Sequence, residues 1–431
     1  MPKFQTIRGM RDFLPSEAEK LRHVEGTTQQ IANLYGFKEV ITPLVEHYDL
    51  LSAKSGDEIT ARMYAFKDLG GRKVALRPEF TASIARLMAT ALRNQPKPLR
   101  LFSSGTLYRY DEPQFGRYRE FWQSNFEIIG SPRPEADVEV LSLTKHLLDT
   151  LGLQNYWFKI GHMGILRGLL SKEGVTDEQQ NTLMQLLDTK QMDKALKTTK
   201  EIGVSTKGIA TLQEILETKG KDASKVLTSL KETLQKYPDS MKAAENLHKI
   251  LQLTQDSGIK FSQSIETGFA RGLEYYTGMI FEVLIPEMTI ALGGGGRYDK
   301  LVELFGGEPT PAIGVAHGLD RIALAIDKQN LPSKSIQETT AIIPIGEEAT
   351  TQALKVALQL RGRGIAVEFE VMGRTVTRAL QDADRRKTTF ALILGPKELK
   401  DGKIVLRHLK THKQQLVDIK DVANILSERI D

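Results

Sequence analysis

The sequence predicts an α+β protein: an antiparallel sheet, interrupted by a helical insertion and followed by a small α/β domain. Three observations lead there. Short apolar stretches bounded by Gly, Pro and Asp, namely KEVITP, RMYAFKD, KVALRP, LRLFSSGTLYRY and FWQSNFEIIG, follow one another at the close spacing of antiparallel strands. From about 163 to 258 the pattern changes to long Leu/Lys/Glu/Gln segments of helical period, such as DEQQNTLMQLLDTKQMDKALKTTKEI, and strand signals return at once in FSQSIETGFARGLEYYTGMIFEVLIP. Further on, AIIPIG, TTQALKVALQL, IAVEFEV, RTVTRALQDADRR and TTFALILG alternate strand and helix, which implies a parallel α/β domain. The expected division is a core of residues 1–162 and 259–326, an insertion at 163–258, a linker at 327–338 (DKQNLPSKSIQE) and a C-terminal domain at 339–431.

The first helix is expected over residues 15 to 35, opened by Pro15 and Ser16, with acids in its first turn, and closed by Gly36. GGGGRYDKLVELFGG and AIGVAHGLDRIALAI each read as a glycine-bearing turn passing into a helix. With 40% hydrophobic and 26% charged residues, the chain is globular in composition, and no apolar run approaches the roughly eighteen residues of a membrane span. The N-terminus lacks an apolar signal core and carries Asp12, Glu17 and Glu19, so the expected location is cytoplasmic. The absence of cysteine excludes disulfides, thiolate catalysis and the usual zinc sets, and no metal site is expected. His408 and His412 in HLKTH are the one helix-spaced histidine pair and read as surface residues. A net charge of +5 is compatible with a polyanionic partner without requiring one.

The chemistry is concentrated in LYRYDEPQFGRYREFWQ, residues 107 to 123. Such a charge run is equally the signature of a solvated, salt-bridged hairpin. Strand parity puts Gln123, Asn125 and Glu127 on one face and Trp122, Phe126 and Ile128 on the other, as an exposed sheet face would also do. What favours a site is Arg109 on the preceding strand, joined through a Gly116-containing basic loop. Guanidinium forks match phosphate oxygens, so a hairpin presenting Arg109, Arg117 and Arg119 suits a triphosphate. RGLEYYTG (271 to 278) adds a second arginine element. Arg321 in GLDRIALAI adds a third, in the first turn of an expected helix.

In this order the segments resemble the class II aminoacyl-tRNA synthetases, and within them the histidyl-tRNA synthetase family. The resemblance runs over essentially the whole chain: RGMRDFLP, a motif 1 region GFKEVITPLVEHYDLL with Pro43, LRPEFTASIAR, the motif 2 hairpin, the blocks RGLEYYTG and GGGGRYDKLVELFGG, and motif 3 in GVAHGLDRIAL. It implies an antiparallel sheet flanked by helices and a C-terminal anticodon-binding domain. It implies a ligase that activates L-histidine with ATP, accompanied by Mg²⁺ on its phosphates, and transfers histidine to the 3′ end of tRNA(His), as a homodimer. By resemblance, Arg109 meets the α-phosphate and the histidine carboxylate, Arg271 the reacting α-phosphate, and Arg117 and Arg321 the outer phosphates. Asp111, where many relatives carry glutamate, falls in the adenine region. Glu79 and Thr81 would hold the α-amino group, Gln123 the carboxylate, and Glu127, Tyr275 and Tyr276 the imidazole. Glu274 replaces the more usual aspartate and is expected to face away. Two other readings are a non-catalytic regulatory relative acting on histidine biosynthesis and an RNA-binding structural protein.

Overall fold

Leu99–Tyr108 and Glu120–Ile129 run antiparallel, with Leu101 opposite Glu127, Ser103 opposite Asn125 and Gly105 opposite Gln123. They belong to the larger sheet of a computed structural model that describes residues 4–53, 56–272, 274–332 and 338–430. Among those residues the sheet has nine strands, in the spatial order Lys38–Glu39, Leu99–Tyr108, Glu120–Ile129, Ala312–Gly318, Gly293–Arg297, Met279–Leu284, Trp157–His162, Ser262–Glu266 and Lys219–Gly220. The central pairings are antiparallel; Lys38–Glu39 with Leu99–Tyr108, and Trp157–His162 with Ser262–Glu266, are parallel.

One face of this sheet is apolar and covered by helices. Phe126 is fully buried against Phe102, with ring centroids 4.9 Å apart, and meets Phe37 edge-on at 5.2 Å. Burying a side chain of this size contributes roughly 2–3 kcal/mol. The Pro15–Leu34 helix lays Leu21, Val24 and Ile31 against this core. Its first position suits proline, because the amide there has no helical partner, and Glu17 accepts from the Leu14 amide at 3.0 Å. The Pro134–Thr150 and Leu319–Lys328 helices complete the cover.

Three local expectations differ from the structure. Of the first three strand signals, Lys38–Glu39 joins the large sheet, whereas Lys73–Leu76 is the middle strand of a separate three-stranded sheet, flanked by Val45–His47 and Ala65–Lys67. Strand propensity does not say which sheet a short strand enters. The glycine run is not a turn but the strand Gly293–Arg297, hydrogen-bonded on both sides. None of its glycines has a positive φ. A Cβ on Gly296 would lie 2.6 Å from the Met279 carbonyl, and one on Gly295 would collide with the Gly314 carbonyl. Close approach, rather than a special backbone conformation, excludes side chains here. Finally, the C-terminal sheet is mixed. Ala366–Phe369, Thr339–Pro344 and Phe390–Leu394 are parallel, but Lys403–His408 and Gln414–Asp418 extend it as an antiparallel hairpin. His408 ends the first of those strands and exposed His412 sits in the turn at φ 56°, so the two are not on a helix.

The insertion begins with the Met163–Lys172 helix and ends with Pro238–Asp256. Its helices are capped from the sequence: Thr176 accepts from the Gln179 amide, Ser205 from Gly208 and Asp222 from Lys225. Leu166, Leu183, Leu212 and Leu247 of the insertion share one core with Phe126 and Phe281 of the sheet. The chain divides into two units, residues 1–333 and 334–431. Of the expected linker, residues 333–337 lie outside the described residues, and Asp327 and Lys328 end the Leu319–Lys328 helix. In the second unit, Ile342 faces a core with Leu360 and Leu392, while Ala341 and Ile343 face another with Ala379 and Leu409. No helix among the described residues is long and apolar enough to cross a membrane.

Gly295→Ala is expected to lower stability to urea by about 3 kcal/mol, because the Gly314–Val315 backbone that the new Cβ would meet cannot yield. Gly26→Ala, in the Pro15–Leu34 helix with nothing near its Cβ position, should raise it by about 0.5–1 kcal/mol. Equal effects would contradict the close-approach account.

Candidate active site

The other face of the sheet carries a cavity of about 720 Å³. The polar side of the Glu120–Ile129 strand forms part of its wall, with Gln123, Asn125 and Glu127 only 8%, 2% and 1% exposed. This is therefore not a solvated sheet face, and the cost of desolvation is offset by a continuous set of hydrogen bonds. Gln123 Nε2 donates to Asn125 Oδ1 at 2.8 Å, and Asn125 Nδ2 donates to Thr81 Oγ1 at 3.2 Å and to Glu127 Oε1 at 3.3 Å. Thr81 Oγ1 donates to Glu127 Oε1 at 2.8 Å and Tyr298 Oη to Glu127 Oε2 at 2.5 Å. The carboxylate reaches Tyr298 over Gly314, where any Cβ would collide with it.

Glu79 lies in the loop before the Thr81–Ala89 helix. Its Oε1 accepts from the Ala82 amide at 3.0 Å, in the first turn of that helix, and its Oε2 accepts from Tyr275 Oη at 3.1 Å. Tyr275 and Tyr276 are both buried, their ring centroids 4.9 Å apart. Arg271 lies over Gly294, donates from one terminal nitrogen to the Phe281 carbonyl at 3.3 Å, and faces Glu282 at 3.3 Å. Arg109 Nε donates to the Pro78 carbonyl at 2.9 Å. Arg321, in the first turn of the Leu319–Lys328 helix, donates to the carbonyls of Gly116 at 3.2 Å and Ala291 at 2.9 Å. Asp111 pairs with Arg62 at 3.1 Å, and Arg117 is exposed at the cavity mouth. The cavity wall thus includes Glu79, Thr81, Arg109, Asp111, Arg117, Gln123, Glu127, Arg271, Tyr275, Tyr276 and Arg321.

Burial sets the electrostatics. It pushes Glu127 up to about 7, against the hydrogen bonds from Tyr298, Thr81 and Asn125, with the neighbouring Glu79 adding to the rise. Glu79 is raised too, chiefly by burial. At the opposite pole, burial and then the charges of Arg109, Arg117 and Arg271 pull Arg321 down to about 10. Arg109 is lowered by burial despite Asp111 and Glu79. Burial also opposes the charge on Arg271, but Tyr276, Glu282 and Asp188 more than offset it, and that guanidinium ends above its ordinary value. Four guanidiniums thus converge at one end of the cavity, and two buried carboxylates with their hydroxyl donors stand at the other.

Arg119 is not part of this array. It is 6% exposed, stacks on the Tyr110 ring at 3.7 Å and donates from Nε to the Asp111 carbonyl at 3.1 Å, so it braces the hairpin. Glu274 also stays out of the cavity wall and accepts from Asn181 Nδ2 at 3.1 Å. Tyr298, Arg62 and Glu282 were not legible as site residues. Tyr298 could have been found, because a strand through Gly294 and Gly296 carries it on the same face. Among the described residues, no group of three or more His, Cys, Asp or Glu could hold a metal ion.

A mostly antiparallel sheet bearing motif arginines over a buried acidic pocket, with helices behind and a separate C-terminal α/β unit, is the architecture of the class II aminoacyl-tRNA synthetases. The family model described as Histidyl-tRNA synthetase matches residues 9–322, and the one described as Anticodon binding domain matches residues 339–429. A histidine–tRNA ligase of Methanocaldococcus jannaschii is 42% identical over 424 residues, spanning 98% of this chain and 99% of its own. Another, of Saccharolobus solfataricus, is 38% identical over 100% of both chains. Among solved structures, histidyl-tRNA synthetase from Nostoc sp. PCC 7120 shares the fold with a TM-score of 0.81 over 100% of both chains at 22% identity. A Bacillus halodurans structure described as an ATP phosphoribosyltransferase regulatory subunit/histidyl-tRNA synthetase has a TM-score of 0.78 and 25% identity, over 92% of this chain and 99% of its own. The chain belongs to the histidyl-tRNA synthetase family.

The position of Glu127 has a measurable consequence. Its ordinary value of 4.5 rises to about 7, so the folded chain keeps a proton that the unfolded chain releases. The stability this confers is complete below about pH 4.5 and is lost as pH rises to about 7. Across that window, urea unfolding of the ligand-free protein should show a decline in stability that Glu127→Gln lacks, on the order of 3 kcal/mol. Parallel curves would contradict the assignment.

Proposed function

We propose that the chain is a histidine–tRNA ligase that works in the cytoplasm. The observation that carries this reading is the guanidinium pole: Arg321 bonds only backbone carbonyls in its described contacts while Arg109, Arg117 and Arg271 press on it, an arrangement suited to a triphosphate. A histidine carboxylate oxygen attacks the α-phosphorus of ATP, the bond to the bridging oxygen of the β-phosphate breaks, and pyrophosphate leaves. A hydroxyl of the terminal adenosine of tRNA(His) then attacks the histidyl carbonyl and releases AMP.

In this reading Arg109 and Arg271 are the catalytic residues, because adenylyl transfer needs positioning and charge neutralisation more than a protein nucleophile. Arg117 and Arg321 hold the outer phosphates, which Mg²⁺ accompanies as part of the nucleotide substrate. Asp111, braced by Arg62, faces the adenine region. Glu79 and Thr81 hold the α-amino group, and Gln123 orients the carboxylate. Glu127, Tyr275 and Tyr276 surround the imidazole, with the Glu127 carboxylate accepting a ring N–H. A pocket built around that acceptor rejects amino acids lacking the N–H by on the order of 10⁴-fold. The C-terminal domain takes the anticodon stem-loop.

The same reading makes the protein a homodimer. Around motif 1 the chain exposes Ile41, Leu44, Val45, Phe66 and Leu69, with Ile41 89% and Phe66 46% accessible, a density of large apolar side chains that a second copy would cover. Sedimentation should give a single species of about twice the chain mass; a monomer would contradict this part.

ATP–pyrophosphate exchange with each of the twenty amino acids, without tRNA, tests the activity. Histidine alone should support exchange, and Glu127→Ala should raise the KM for histidine at least about tenfold while that for ATP changes about twofold or less. No exchange from folded, ATP-binding protein would instead favour a regulatory subunit. Equal effects on both KM values would remove Glu127 from the imidazole pocket.

A further inference from the structure

The helical insertion contributes residues to the cavity wall that the reaction scheme does not use, Asp188 among them. Asp188, the last residue of the Asp177–Asp188 helix, accepts from the Gly272 amide at 2.7 Å, across 84 positions of sequence. Gly272 directly follows Arg271. Seven residues earlier on the same helix, two turns back and on the same face, Asn181 Nδ2 donates to Glu274 Oε2 at 3.1 Å. Arg167, on the neighbouring Met163–Lys172 helix, donates to Asn181 Oδ1 at 3.0 Å and to the Glu274 carbonyl at 3.5 Å. The helix that makes these contacts is held by buried Leu183, Met184 and Leu186.

An aspartate in this place calls for an explanation. Negative charge at a helix C-terminus opposes the helix dipole, at a cost of about 0.3–1 kcal/mol. The Asp188 carboxylate recovers this from the Gly272 N–H and from the Arg271 charge, on which it acts directly. The described contacts of the Arg271 side chain are loose: one carbonyl at 3.3 Å, Glu282 at 3.3 Å and the face of the Tyr276 ring at 5.8 Å from its centroid. Its aim over Gly294 therefore depends on where its backbone is pinned. We propose that Asp188, carried by the helical insertion, is a positioning residue for Arg271: by holding the Gly272 amide it fixes the segment that presents the guanidinium to the α-phosphate. Misplacing a catalytic group by about 1 Å can cost up to about 100-fold in rate, and one exposed contact among several accounts for a part of that.

This inference rests on the ligase reading, and two measurements keep the two apart. In histidine-dependent ATP–pyrophosphate exchange, Asp188→Ala should lower kcat about tenfold with both KM values within about twofold. Asp188→Asn, whose amide oxygen still accepts from Gly272, should recover activity to within about threefold of the parent, and Asp188→Ala should cost nothing further in an Arg271→Ala background. An unchanged kcat for Asp188→Ala, an equal loss in the Arg271→Ala background, or an Asn variant as impaired as the Ala variant would each overturn the proposal. Hydrogen exchange reads the tether without reference to the reaction: Asp188→Ala should lose protection at Gly272 while Asp188→Asn and the rest of the sheet keep it. Unchanged protection overturns the proposal whether or not the parent protein catalyses exchange; an inactive parent with the tether behaving as expected overturns only the ligase reading.

Discussion

The cavity exists because the middle of its floor is glycine and alanine, backbone with almost no side chain. Across the sheet, Glu127 stands opposite Gly314, Gly314 opposite Gly296, and in the next cavity-facing row Asn125 stands opposite Ala316, Ala316 opposite Gly294 and Gly294 opposite Glu282. The first row leaves room for the Glu127 carboxylate to cross to Tyr298; the second leaves room for Arg271 to lie against the strand and face Glu282. A run of glycines weakens a strand, since it carries the largest entropy loss and no side chains to pack. The sheet tolerates it because the flanking strands turn Phe281, Val283, Ile313 and Val315 to the opposite, fully packed face. Packing on one face thus supports an opening on the other.

That opening places charges where water cannot solvate them well. Glu127 and Glu79 are driven toward their neutral forms, and Arg321 and Arg109 toward theirs, in each case first by burial. Arg271 faces Glu282, but Arg321 is crowded by Arg109, Arg117 and Arg271 and has no carboxylate among its described hydrogen-bond partners, while Glu127 is raised by its neighbour Glu79. An arrangement chosen for stability would pair Arg321 with a carboxylate, as Arg297 at the end of the glycine strand is paired with buried Asp137 of the Pro134–Thr150 helix. The contrast between these two arginines, one matched and one crowded by its own kind, separates a structural residue from one that awaits an anion.

Much of this was legible in the sequence, and what was not has identifiable causes. The polar and apolar faces of residues 122 to 128 follow from the two-residue period alone. The partners of that polar face do not, since Thr81 and Tyr298 lie 46 and 171 positions from Glu127. Tyr298 was hidden by reading the glycine run as a turn; glycine's reputation for special φ values concealed a strand chosen for its lack of Cβ. In the motif 2 hairpin, charge type could not distinguish Arg117 at the cavity mouth from Arg119 beneath Tyr110, because that depends on the twist of a loop rather than on its composition. The C-terminal hairpin was missed for a different reason: Gln414, Gln415 and Leu416 are exposed and carry no strand-like alternation.

The place of the insertion beside the site follows from topology. Trp157–His162 and Ser262–Glu266 are parallel neighbours, with Trp157 opposite Ser262 and Ile160 opposite Ile265. A parallel pair cannot be closed by a hairpin; the chain must cross over before it returns. The insertion is that crossover, and it adds its own edge strand, Lys219–Gly220, antiparallel to Ser262–Glu266. Because the chain leaves Ser262–Glu266 through the Arg271 segment to reach Met279–Leu284, that segment starts at the strand to which the insertion is attached. A helix of the crossover, Asp177–Asp188, is therefore held next to Arg271 by the strand order of the sheet, before any individual contact is formed. The contacts from Asn181 and Asp188 then select one geometry among those that the topology allows.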